Sequence, residues 1–242
     1  MRFAGRQLQE TRVSDDHRPI SPVNPLPPLV VALVILIVGV ELIFMLGEKG
    51  YVGGPEAVGW RLSAIRTYAF SGDILDWMIA NNTYPAQHML RFLTYSFVHL
   101  TFTHMIFVVV LTLALGKMVG EVFGTFALLS VWVMSAIIGA LAYGLILNDP
   151  RPLVGGYPSV YGLIGAYTFL LWVNLAGTGS RQYSAFSLIA LLMGIQLIFG
   201  WIYGSNDWVP DLAGFATGFG LSFLVSPGGW AAFLERIRQR ND

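Results

Sequence analysis

Six apolar stretches of about 20 residues run through the sequence, separated by polar segments. A helix of about 20 residues is what crosses the ~30 Å hydrocarbon core of a membrane. Only 12% of the residues are charged, against about 25% in a soluble domain. The sequence therefore predicts an all-α, polytopic membrane protein built as a bundle of six transmembrane helices. The predicted spans are 27–46, 97–117, 123–147, 157–175, 183–204 and 208–226.

The polar segments divide the chain into two tails and a membrane domain. We expect a cytoplasmic N-terminal tail at 1–26, a membrane domain at 27–228 and a cytoplasmic C-terminal tail at 229–242. Within the membrane domain, 48–90 is too polar to span a bilayer and too rich in aromatic residues for a solvated loop. We predict that this long first loop contains amphipathic pieces lying in the membrane interface.

Basic residues set the expected orientation, because loops rich in Lys and Arg stay in the cytoplasm. With both ends inside, nine Lys and Arg lie in the cytoplasm and five lie outside. This favours an N-in, C-in protein, which we expect in a bacterial inner membrane. The balance of 14 Lys+Arg against 14 Asp+Glu gives no indication of a nucleic-acid partner. The absence of cysteine excludes disulfides and thiolate chemistry.

Ionisable side chains within a membrane span are costly, at roughly 2.5–3.5 kcal/mol or more each, and invite a functional hypothesis. Five such residues lie in or next to the predicted spans: Glu41, His99, His104, Glu121 and Asp211. Glu41 and Glu121 are interpreted as structural, Glu121 near a cytoplasmic end. His99 and His104 are five residues apart, which on one helix separates them by about 140°. We therefore expect each to bond a backbone carbonyl, and we expect no metal site.

Two further patterns lie in the last and fourth spans. Asp211 opens the last span, where a carboxylate can cap the helix N-terminus. Gly214 and Gly218 follow at a spacing of four, which predicts close packing against a neighbouring helix. At the start of the fourth span, Ser159 and Tyr161 are expected to face the bundle or its mouth.

In order and spacing, these motifs resemble the rhomboid family of intramembrane serine proteases over roughly residues 85–228. The family's second span carries Arg, a His eight residues later, a second His after five more and an Asn after four more. Here these positions hold Arg91, His99, His104 and Val108. The resemblance implies a rhomboid-like bundle of six helices with a long first loop.

The resemblance also places the family's catalytic pair. The fourth span of the family begins Gly-x-Ser-Gly-x-x-Tyr-Gly, and alignment on Tyr161 and Gly162 puts Tyr157 on the nucleophilic serine. The last span carries Ala-His-x-Gly-Gly-x-x-x-Gly, and Asp211 stands on the catalytic histidine. Both members of the pair are therefore replaced.

These replacements argue against protease chemistry. A serine nucleophile needs a base within hydrogen-bond reach, and no histidine follows His104 in the sequence. Val108 removes an oxyanion donor, a group typically worth about 10²–10³ in rate. Ser159 is a stand-in candidate for the nucleophile, but it lies about 200° around the helix from Tyr157. We therefore expect no catalytic residue among these degenerate positions.

Tyr157 and Asp211 are a matched donor and acceptor, so we hypothesise that Tyr157 donates a hydrogen bond to Asp211. The rival interpretation has Asp211 capping its own helix and Tyr157 lying in the interface belt. The residues expected to contribute to binding are Tyr157, Asp211, Tyr161, His99 and Arg91.

By resemblance, such a protein binds transmembrane segments of client or partner proteins within the bilayer, beside a membrane protease or a complex partner, and needs no cofactor. Two alternatives stay open. One is an active intramembrane serine endopeptidase with atypical site residues, and the other is a structural subunit of a membrane complex.

Overall fold

The computed structural model describes residues 25–147, 149–177 and 181–227, and over these ranges the protein is built from α-helices, as predicted. Six segments are long and apolar enough to cross a membrane. Most of the predicted N-terminal tail and all of the predicted C-terminal tail lie outside the described residues. The helices in chain order are α1 (Pro28–Glu48), α2 (Trp60–Tyr68), α3 (Gly72–Ala80), α4 (Ala86–Thr94), α5 (Phe102–Phe123), α6 (Thr125–Ile146), α7 (Tyr157–Gly177), α8 (Ser187–Tyr203) and α9 (Trp208–Val225).

The second membrane helix, α5, begins later than the sequence indicated. It was expected at 97–117, and it covers Phe102–Phe123 because Thr101 caps it, its side chain accepting a hydrogen bond from the His104 amide at 3.2 Å. His99 consequently lies before the helix, so the expectation that His99 and His104 are held apart on one helix was wrong. Their rings lie edge to face with centroids 5.1 Å apart.

The long connection between α1 and α5 folds into the three short helices α2, α3 and α4. An antiparallel bridge between Phe70 and Leu153 joins it to the connection between α6 and α7. The guanidinium of Arg151 then donates to the Gly204 carbonyl in the turn between α8 and α9, at 3.0 Å. All three connections therefore meet at the same end of the bundle, where α5, α7 and α9 begin.

Helix α7 lies at the centre of the bundle, with half of its span buried, and packs between α6 and α9. Glycines allow the helix backbones to approach closely. A Cβ at Gly214 would collide with the Pro158 carbonyl, and one at Gly218 would collide with the Gly162 carbonyl. In contrast, only 11% of the span that contains α8 is buried, so α8 lies at the edge of the bundle.

Glu41 is buried as a carboxylate that is paired with an arginine. Its carboxylate is 1% exposed and accepts two hydrogen bonds of 2.9 Å from Arg61 on α2. Arg61 also donates to Glu48 at 2.8 Å and to the His99 carbonyl at 2.9 Å. The hydrogen bond to Glu41 raises the pKa of Arg61, so the guanidinium stays charged. This network fastens the first loop to α1 and to the segment that carries His99.

Candidate functional site

A cavity of about 570 Å³ lies at the end of the bundle where α5, α7 and α9 begin. Its walls are mainly apolar and aromatic, and its polar side chains come from the five helices α5 to α9 and from three of the connections between helices. Ligand sites in proteins are typically concave and apolar, with a few polar groups that fix orientation. The polar and aromatic side chains considered below are His104, Tyr143, Arg151, Tyr157, Gln196, Asp207 and Asp211.

The first group of side chains is an aromatic cluster on the α5 side of the cavity. The ring of Tyr157 stacks on His104 with centroids 5.0 Å apart and an interplanar angle of 17°. Gly155, with φ at +93°, allows the loop backbone to lie against this imidazole, because a Cβ there would stand 2.5 Å from His104 Nε2. Stacked rings cannot exchange an in-plane hydrogen bond, so His104 is not placed to take a proton from the Tyr157 hydroxyl.

His99 lies behind this cluster and is 1% exposed. Its Nε2 accepts a hydrogen bond from the Gly156 amide at 3.4 Å. Burial lowers the pKa of His99 to about 3, and the neighbouring His104 contributes to the shift. His99 is therefore neutral at physiological pH, and it supports the loop before α7 without lining the cavity.

The second group is a chain of hydrogen bonds across three helices. The Tyr161 hydroxyl donates to Gln196 Oε1 at 3.1 Å, and Gln196 Nε2 donates to Asp211 Oδ2 at 2.6 Å. Asp211 is 3% exposed. The hypothesised bond between Tyr157 and Asp211 is not formed; Gln196 takes the place of the tyrosine. The capping interpretation is not borne out either, because the carboxylate points to α8 rather than to its own helix.

Several polar atoms in the cavity are left without partners among the described residues, and one of them is the buried Nε2 of His104. Neither the Tyr157 hydroxyl nor Asp211 Oδ1 makes a hydrogen bond with any residue that the structure describes, and both side chains line the cavity. A donor and an acceptor therefore face the same space. They are available to a ligand rather than to each other.

Val108, at the family's asparagine position, and Ser159, the stand-in candidate for the nucleophile, are both packing residues. Val108 is fully buried, and its Cγ1 would lie 2.9 Å from a Cβ at Gly156, so it fills space beneath the loop. Ser159 is also fully buried, and its hydroxyl donates to the Trp132 carbonyl on α6 at 3.0 Å. The Ser159 hydroxyl therefore points away from the cavity.

The two arginines near the site, Arg91 and Arg151, form hydrogen bonds within the protein. Arg91 donates to the carbonyls of Ala69 and Arg66 at 2.8 Å each, and it does not line the cavity. Burial lowers its pKa. Arg151 lies at the cavity and bonds Asp149 through its Nε at 2.9 Å. This pairing lowers the pKa of Asp149 and raises that of Arg151.

Four of the cavity side chains considered above were not predicted from the sequence, namely Tyr143, Arg151, Gln196 and Asp207, and Gln196 is the one whose side chain donates a hydrogen bond to Asp211. The ionisable residues of the spans stand out because a buried charge is costly, whereas an uncharged amide is less conspicuous. The sequence did offer one indication, because Gln196 is the single amide within the apolar run of α8. A polar side chain in a span normally has a hydrogen-bond partner on another helix.

The arrangement offers binding chemistry rather than acid–base chemistry. Among the described residues, the cavity contains no hydroxyl or thiol paired with a base, and no three His, Cys, Asp or Glu side chains converge as a metal site. What it presents is a buried carboxylate, a phenol and aromatic faces. Groups of this kind can fix the orientation of a ligand through hydrogen bonds and charge.

The comparisons with known proteins identify the family. The family model for the rhomboid domain matches residues 86–228, which is more than half of the chain and includes α5 to α9. No curated protein matches the sequence. The resemblance drawn from the spaced motifs is thus confirmed, and the chain belongs to the rhomboid family.

Proposed function

We propose that this protein is a non-catalytic member of the rhomboid family that binds transmembrane segments of other membrane proteins in the cavity beside α5 and α8. The observation that carries the proposal is the pair of unpartnered polar atoms, Tyr157 hydroxyl and Asp211 Oδ1, at the positions where the family has its catalytic serine and histidine. The cavity is mainly apolar with a few polar groups, and those groups do not include a nucleophile with its base.

The case against catalysis is chemical. Attack by a hydroxyl requires its proton to be removed by a base in hydrogen-bond contact. Tyr157 has a stacked imidazole instead of a hydrogen-bonded one, and Ser159 is bonded to a backbone carbonyl. Val108 supplies no donor for an oxyanion. Each of these three arrangements alone would slow proteolysis severely.

The case for binding rests on α8. This helix is exposed along most of its length, with Leu191 62% and Trp201 88% exposed. Its inward face carries Gln196 into the cavity. A bound transmembrane helix could therefore pack against apolar surface on α8 while one of its side chains reaches the polar atoms inside.

The test of the non-catalytic part is labelling of the purified protein with a fluorophosphonate, together with a cleavage assay on labelled transmembrane substrates in proteoliposomes. We expect neither labelling nor cleavage. Labelling or cleavage that disappears in Ser159→Ala would refute the proposal and favour an active endopeptidase.

Co-purification distinguishes a protein that binds clients from a structural subunit of a membrane complex. In a mild detergent, a binder of clients is expected to retain variable partners at low stoichiometry. A single partner retained at one copy per chain would instead identify a fixed structural subunit.

We also propose that the chain lies in a bacterial inner membrane with both termini in the cytoplasm. Because the sequence has no cysteine, a single introduced cysteine reports its own location. In intact spheroplasts, an impermeant maleimide should label Lys49→Cys and should label Arg181→Cys only after permeabilisation. The reverse pattern would refute the orientation.

A further inference from the structure

Asp211 is a carboxylate without a cationic partner. Its Oδ2 accepts a hydrogen bond from the neutral Gln196 amide, and no described Lys, Arg or His contacts it. Arg151, the cation that lines the same cavity, is already bonded to Asp149 and to the Gly204 carbonyl. Asp207 adds a second carboxylate to the lining. The cavity is therefore short of positive charge.

The walls around this carboxylate suit a cation. Tyr157 and Tyr143 line the cavity together with Phe107 and His104. Aromatic faces attract ammonium and guanidinium groups, and most strongly where water is excluded. The free Asp211 Oδ1 can accept a charge-assisted hydrogen bond from such a group.

The depth of the site indicates what supplies the cation. Asp211 lies three residues after Trp208 at the start of α9, about 5 Å along that helix, and Gln196 lies seven residues before Tyr203 at the end of α8, about 10 Å along it. Lipid headgroups stay at the membrane interface, whereas a Lys or Arg side chain on a neighbouring transmembrane helix extends laterally at any depth. The polar part of the cavity is thus placed for a side chain of a membrane segment.

From these observations we propose that the cavity selects transmembrane segments that carry a lysine or arginine one to two turns from the end of the segment, with Asp211 as its counter-charge. This inference rests on the proposed function and adds the class of client to it. A basic residue inside a span is costly when unpaired, and pairing with Asp211 removes that cost for both groups.

The test measures binding of three synthetic transmembrane peptides that differ at one guest position: Lys, Leu or Glu. Labelled peptides are titrated against the full-length protein in phosphatidylglycerol nanodiscs, whose headgroups carry no ammonium. We expect the Lys peptide to bind about 10- to 100-fold more tightly than the Leu peptide, the range for a hydrogen bond to a charged group. The Glu peptide should bind more weakly than the Leu peptide.

Asp211→Asn should abolish the preference for Lys, so that the Lys and Leu peptides bind this variant with equal affinity, and its helicity in nanodiscs shows whether the variant is folded. Glu121→Gln removes a carboxylate from the other end of α5, where it pairs with Lys117, and should retain the preference. Equal binding of Lys and Leu peptides, or a Lys preference that survives Asp211→Asn, would overturn this inference and leave the proposed function standing. Failure of every peptide to bind would contradict the proposed function itself. If Asp211→Asn does not bind the Leu peptide, the ranking of the three peptide affinities on the unmodified protein tests the inference, and any ranking other than Lys above Leu above Glu would overturn it.

Discussion

Gly218 is the position at which a single added methyl group should do the most damage to the packing of α9 on α7. A Cβ there would collide with the Gly162 carbonyl oxygen and stand 2.6 Å from the carbonyl carbon and 2.7 Å from the Cα of the same residue. All three are backbone atoms, so no side-chain rotation can relieve the contact. The two helices must separate.

The expected cost follows from comparison with a second glycine on the same helix. A Cβ added at Gly220 would meet nothing within 4 Å, so Gly220→Ala adds only the greater helix propensity of alanine, up to about 1 kcal/mol. Gly218→Ala gains the same propensity and loses about 1–3 kcal/mol to overpacking. The difference between the two variants isolates the overpacking term.

The assay is reversible unfolding by SDS titration in mixed micelles, with helicity as the signal. We expect Gly218→Ala to be less stable than Gly220→Ala by about 1–3 kcal/mol. Gly214→Ala, which meets the Pro158 carbonyl, should behave like Gly218→Ala. Equal stability of Gly218→Ala and Gly220→Ala would refute the close approach of α7 and α9.

Three other predictions concern buried polar groups. Glu41→Gln leaves the 14%-exposed Arg61 with the 43%-exposed Glu48 as its remaining counter-charge and should cost up to about 3–5 kcal/mol in the same SDS assay, more than Glu41→Gln combined with Arg61→Met; equal losses would contradict the pairing. Gln196→Leu and Asp211→Leu should be non-additive, with a coupling of about 0.6–2 kcal/mol, and strict additivity would exclude the hydrogen bond between Gln196 and Asp211. The pKa of His99 is lowered to about 3 in the folded protein, so its imidazole stays neutral there while it gains a proton in the unfolded chain below about pH 6.5. Stability should therefore fall as pH drops through this window, by about 2 kcal/mol at pH 5; thermal unfolding against pH should show a smaller loss in His99→Gln, and an unchanged profile would contradict the neutral, buried ring.

The membrane helices followed from the sequence because each apolar run is long enough to cross a bilayer and the spacers are polar. The start of α5 did not. Tyr95 to Leu100 are apolar apart from Ser96 and His99, and composition cannot distinguish a buried loop from a helix. Only the cap at Thr101 marks the boundary, and a threonine within an apolar run is a weak signal.

The candidate site was predictable in part. Tyr157 and Asp211 were identified from spaced motifs, and the structure places both at one cavity. The partners of the two residues were not predictable. Asp211 accepts a hydrogen bond from Gln196 because of how α8 packs on α9, and Tyr157 stacks on His104 because of how α5 packs on α7. The partner of Glu41 could not be deduced either, since Arg61 lies in a loop whose fold has no periodic signature.

Entry of a transmembrane segment into the cavity beside α5 can be measured directly by photocrosslinking. Benzoylphenylalanine is placed at Phe107, which lines the cavity and is 56% exposed. The matched control places it at Phe126, which is 81% exposed at the opposite end of the bundle. We predict that the Lys-containing peptide crosslinks to position 107 and not to position 126. Equal crosslinking at both positions, or none at 107 under conditions where the peptide is bound, would contradict binding of clients in this cavity.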